Sequence, residues 1–137
     1  MKYSEDLKKA ILDENFTETH EILTRIIEED EPLNYFSDIF SLMENNPNLD
    51  YGMPGPVVHF MEKYYKKGYE KELLLSIKRK PIIHTIWMLN RILNDSNLEN
   101  REIYMHEMEN VLTREDVDPK LRKETERFIH FQNNKTS

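Results

Sequence analysis

The sequence predicts an all-α protein of about eight helices, and three observations carry that prediction. Glycine and proline are scarce, 3 and 6 in 137 residues, whereas a β-rich chain needs them at its frequent turns. Apolar residues recur at three- and four-residue spacing, the period of one helix face. The interruptions are mostly short and marked by proline, glycine or capping residues, so the connections are tight. Antiparallel helix pairs of this kind fit a HEAT- or armadillo-like stack or a compact helical bundle, and no clean repeat separates the two. The expectation is a single helical domain over residues 1–131 with a frayed tail over residues 132–137.

Each element has its own signal. Ser4 is placed to cap the first helix, which runs to Asp13 with Leu7, Ala10 and Ile11 on one face. Thr17 is placed to cap the second, which runs to Glu29 with Ile22, Leu23, Ile26 and Ile27 inward. Pro32 favours a new first turn, opening a third helix to Glu44 with the stripe Leu33, Phe36, Phe40 and Met43. The stretch Asn45–Gly55 has no helical pattern. Pro56 then opens a fourth helix to Lys67, with Val57, Phe60, Met61 and Tyr64 inward and Gly68 ending it. The fifth spans Tyr69–Arg79, and Lys78, Arg79 and Lys80 complement its dipole. Pro81 forces the boundary before a sixth helix, Ile82–Asn94, which is apolar on nearly every side and therefore central. A seventh spans Leu98–Thr113, with Tyr104, Met108, Val111 and Leu112 inward. Asp118 caps the eighth, Pro119 takes its first position, and Leu121, Thr125, Phe128 and Ile129 form its inner stripe.

Composition narrows the function classes. The apolar share is only 38%, but its regular patterning argues against disorder. Cysteine is absent, which excludes a disulfide framework and a zinc–thiolate site and suits the cytoplasm. The opening MKYSEDLKKAILDEN lacks the apolar run of a secretory signal. The longest apolar segment, Pro81–Leu93, is broken by His84, Thr85, Asn90 and Arg91, well short of the roughly 18 residues of a membrane span. The expectation is a cytoplasmic protein that engages no membrane. The net charge of −7 is uneven: residues 1–50 hold 13 acids against 4 bases, −9, residues 51–100 come to +3, and residues 101–137 to −1. A field of that sign repels nucleic acid and attracts basic partners.

The search for a reaction centre is negative. There is no Walker loop, GxGxxG or GxSxG. The run His106-Glu107-Met108-Glu109-Asn110 places Asn where HExxH needs its second imidazole. His20, His59, His84, His106 and His130 fall on five different helices, and the single pair His59 and Glu62 reverses the Glu-x-x-His order of di-metal bundles. No catalytic residue, metal or cofactor is expected. Lys63, Lys66, Lys67 and Lys71 interleave with Tyr64, Tyr65 and Tyr69, a pattern that can bind nucleic acid; the overall charge and the core duty of alternate tyrosines weigh against it. Asn90 inside an apolar helix either grips a peptide backbone or fixes packing, and packing is favoured.

One surface feature asks for a use. Glu28, Glu29, Asp30 and Glu31 crowd a helix C-terminus, where each exposed acid opposes the dipole at a cost of about 0.3–1 kcal/mol. The bland reading is a solvated helix end. The functional reading is an anionic patch for a basic partner, extended, packing permitting, by Asp38, Glu44 and Asp50.

Two segments, DYGMPGPVVHFMEKYY at Asp50–Tyr65 and RKPIIHTIWMLNRILND at Arg79–Asp95, resemble small all-helical immunity proteins of bacterial contact-dependent and polymorphic toxin systems. They cover about a quarter of the chain. The resemblance implies a cytoplasmic protein that binds one cognate toxin domain, often a nuclease, and blocks it by occlusion. It implies no catalytic residues and transfers no contact residues. Glu28, Glu29, Asp30, Glu31 and Asp38 are the candidates for the face that fills a basic groove, with fast, salt-sensitive association. The alternatives are a helical scaffold or adaptor for a peptide or protein, and a small metal-dependent helical enzyme.

Overall fold

A computed structural model describes residues 1–135 of the chain. Among the described residues there are eight α-helices and no strand: α1 Ser4–Leu12, α2 Phe16–Glu29, α3 Phe36–Asn45, α4 Gly55–Glu62, α5 Tyr69–Arg79, α6 Ile83–Leu93, α7 Arg101–Val111 and α8 Pro119–Lys135. A short 3-10 helix, Pro32–Tyr35, precedes α3. The chain forms two compact units, Met1–Glu72 and Leu73–Ser137, divided within α5.

In the first unit α1 packs on α2 and α3, and α2 on α4. Asn15 caps α2 in place of Thr17, its Oδ1 accepting from the Glu18 N–H at 3.0 Å. Ser4 is likewise the first helical residue of α1 and not its cap. In both cases the expected cap lies one or two positions inside the helix, because the first turn tolerates polar residues. The stripe of the third helix also shifts. Its first turn is 3-10, which exposes Leu33 and buries Tyr35 completely. Phe36 then anchors an aromatic cluster, with ring centroids 5.7 Å from Phe60, 5.8 Å from Tyr64 and 6.3 Å from Tyr69. Full burial of such a ring contributes about 1.5–3 kcal/mol.

That cluster explains why α4 stops at Glu62 and not at Lys67. Residues 63–68 form turns. Lys66 adopts a left-handed φ of 67°, and its N–H donates to Glu70 Oε1 at 2.6 Å. The turns bring Tyr64 edge-on against Phe36 and Phe60, so packing overrides the helical propensity of the lysines. In the break before α4, Gly52 has φ +90°, and a Cβ there would lie 2.5 Å from the Gly55 Cα, so only glycine fits.

In the second unit α6, α7 and α8 pack pairwise. α6 starts at Ile83, two residues after Pro81, with the Thr85 hydroxyl accepting the Ile82 N–H at 3.2 Å. Asp118 caps α8 through the Leu121 N–H at 2.8 Å. Three helix C-termini are closed by arginines. Arg114 donates to the Lys78 and Arg79 carbonyls at the end of α5, Arg101 to Leu93 at the end of α6, and Arg122 to Leu112 after α7. Each satisfies carbonyls that have no intrahelical partner.

The expected tail over residues 132–137 needs correction. α8 continues to Lys135, and Gln132 is fully buried. Its Nε2 donates to Asn90 Oδ1 at 2.7 Å and Asn94 Oδ1 at 2.9 Å, while its Oε1 accepts from Arg101 at 2.8 Å. Asn90 therefore fixes packing, against α8. The last two residues of that expected tail, Thr136 and Ser137, lie outside the described residues.

Candidate functional site

The acidic candidates all belong to the first unit, and the structure divides them by role. Glu29 is held from the chain start: its Oε2 accepts the Tyr3 hydroxyl and lies 3.9 Å from Lys2 Nζ. Asp30 is held from the other side. Its Oδ2 accepts the Tyr35 hydroxyl at 2.7 Å, and its Oδ1 accepts the Glu31 N–H at 2.8 Å. The Tyr35 oxygen in turn accepts the Tyr3 N–H at 3.2 Å. Two of the four acids thus tie the N-terminal segment to the end of α2. Glu28 and Glu31 remain exposed, as does Asp38 in the first turn of α3. Glu44 is buried and does not extend the surface, whereas Asp50 is exposed in the break before α4.

The electrostatics follow the hydrogen bonds. The Tyr35 hydroxyl, then the Glu31 N–H, hold the Asp30 carboxyl below the ordinary carboxylate range. Burial and then the Asp30 acceptor push the Tyr35 hydroxyl up to about 12. Asp30 therefore stays ionised at any neutral or mildly acidic pH.

Tyr35 also links the acidic run to a groove between α1 and α3. This groove has a volume of about 270 Å³; Leu7, Ile11, Ile39 and Leu42 form its apolar lining, and Glu5 and Asp38 stand among its polar residues. Ser4, Lys8, Ser41 and Asn45 line it as well. The Ser4 hydroxyl oxygen is buried and makes no hydrogen bond. Sequence reasoning identified Asp38 here but missed Tyr3, Glu5 and Tyr35. Their signal lies in tertiary pairing: Tyr3 and Glu29 are 26 residues apart, beyond the reach of any local pattern.

The remaining candidates resolve into structural roles. Tyr64 and Tyr69 belong to the aromatic cluster, which removes them as stacking platforms beside the lysines. Glu107 of the HExxH near-miss pairs with Lys78 at 3.5 Å. His20 and His59 line a groove between α2 and α4, His84 packs on Trp87, and His130 pairs with Asn134. Among the described residues no group of three or more His, Asp or Glu is placed to hold a metal ion. No helix among them is long and apolar enough to cross a membrane.

No protein-family model, curated protein or solved structure matches the chain.

Proposed function

We propose that the chain is a stoichiometric inhibitor of a protein toxin: an immunity protein that covers a basic toxin domain, such as a nuclease, with its acidic first unit. One observation carries the reading. Glu28, Glu31 and Asp38 stay exposed on either side of the 3-10 helix, while Tyr3 and Tyr35 fix the intervening acids. Glu29 and Asp30 at the centre of the patch are thus pre-organised, which reduces the entropy lost on binding. An acidic patch of this kind steers a basic partner and raises its association rate at low salt. The resemblance of Asp50–Tyr65 and Arg79–Asp95 to helical immunity proteins supplies the partner class.

The test is co-expression with the product of the neighbouring toxin gene, pull-down, and a dissociation constant at two salt concentrations. Changing Glu28→Gln, Glu31→Gln and Asp38→Asn together should weaken binding about tenfold and flatten its salt dependence. Glu29 and Asp30 are left intact so that the fold is not disturbed. An unchanged constant and salt slope would remove the acidic surface from the account.

A further inference from the structure

We infer that the groove between α1 and α3 receives an arginine side chain of the bound partner. The inference rests on the reading above that the partner is a basic protein, and adds how one of its residues is anchored. The groove has the two-part chemistry of that side chain. The half-buried Leu42, backed by the edges of the buried Leu7, Ile11 and Ile39, offers an apolar wall to an aliphatic stem. Glu5 on α1 and Asp38 on α3 offer two carboxylates to a charged head, opposed by the single cation Lys8. The buried Ser4 hydroxyl makes no hydrogen bond and supplies an oxygen acceptor in the same groove.

Arginine fits better than lysine. Its guanidinium carries five donors and is weakly hydrated, so it serves acceptors from two helices at once; an ammonium is a compact and strongly hydrated charge. A purely apolar occupant would leave both carboxylates facing it uncompensated. The groove also adjoins the fixed part of the patch, because Tyr35 both lines it and holds Asp30. An arginine seated here therefore places neighbouring bases of the partner near Glu28 and Glu31.

The test uses the intact chain and a small probe, N-acetyl-arginine amide, titrated into the isotopically labelled protein and followed by amide chemical shifts. Saturable shifts are expected at Leu7, Ile39 and Leu42. N-acetyl-lysine amide should bind more weakly, and N-acetyl-norleucine amide and free guanidinium should give no saturable shift there. The double variant Glu5→Gln/Asp38→Asn should weaken arginine binding about fivefold, the effect of two partly screened ion pairs. Lys8→Met should strengthen it about twofold by removing the like charge. All three positions are exposed, and an unchanged thermal melt confirms that each variant is folded. Equal shifts from the norleucine derivative, or an arginine constant indifferent to both variants, would overturn the inference. The probe contains no toxin, so that result leaves the toxin-binding measurement to stand or fall separately.

Discussion

Replacing Gln132 with methionine should destabilise the second unit by about 1–3 kcal/mol, the cost of stranding the buried partner of one amide. Gln132 is fully buried, and methionine keeps most of its volume, so a cavity contributes little. The loss comes from hydrogen bonds. Asn94 is exposed and recovers water. Asn90 is buried, and its Oδ1 loses the 2.7 Å donor. Arg101 loses an acceptor at 2.8 Å but keeps the Leu93 carbonyl at 2.6 Å, which limits the stranded charge. The assay is urea unfolding followed by the fluorescence of Trp87, the single tryptophan, which lies on α6 in the same unit as Gln132. The midpoint should fall with an unchanged slope. A cycle with Asn90→Leu should give a coupling of about 1 kcal/mol or more. A Gln132→Met loss under about 0.5 kcal/mol, the range of an ordinary surface change, would show that this end of α8 is frayed after all.

Two further expectations concern the first unit. Asn15→Ala should cost about 1 kcal/mol, whereas Thr17→Ala should be close to neutral, since only Asn15 caps α2; thermal melts of the two variants decide the matter, and the reverse order would place the cap at Thr17. The Tyr35–Asp30 pair predicts both limbs of the pH–stability curve. The Asp30 carboxyl lies below its ordinary 3.8 in the fold, so its contribution is complete above that pH and is lost as pH falls through the folded value; Asp30→Asn should make the acid limb shallower. The Tyr35 hydroxyl is raised from 10.0 to about 12, so its contribution is complete below pH 10 and lost as pH rises towards 12. Tyr35→Phe should flatten part of that alkaline limb in a pH series of melts. Tyr51, pushed to about 12 chiefly by burial and then by Glu14, and Tyr64, raised by burial and then by Glu31, also contribute to that limb.

Helix number and class were legible because they depend on apolar period, which the chain carries clearly. The α5 boundaries, Tyr69–Arg79, match the sequence reading residue for residue, since Gly68 and Pro81 punctuate both ends. Boundaries set by tertiary packing were not legible. The early end of α4 depends on where Tyr64 finds Phe36, and the continuation of α8 depends on Asn90, 42 residues away. The same limit applies to the acidic surface. Composition identified Glu28 to Glu31 as a group but could not show that Tyr3 and Tyr35 engage the middle two. The groove beside Asp38 needs two helices brought together, and nothing local to α1 announces Glu5 as its second carboxylate.

The arginines that close helix ends in the second unit impose an order on its assembly. Arg101, Arg114 and Arg122 each follow in the chain the helix whose carbonyls they meet. As the polypeptide leaves the ribosome, α5 emerges with its final peptide groups solvated and waits 35 residues for Arg114; α6 and α7 wait for shorter stretches. Arg101 and Arg114 precede α8, so the ends of α5 and α6 are closed without it, and only the end of α7 waits for Arg122 of α8; the half therefore holds all three closing contacts only after its last helix has emerged.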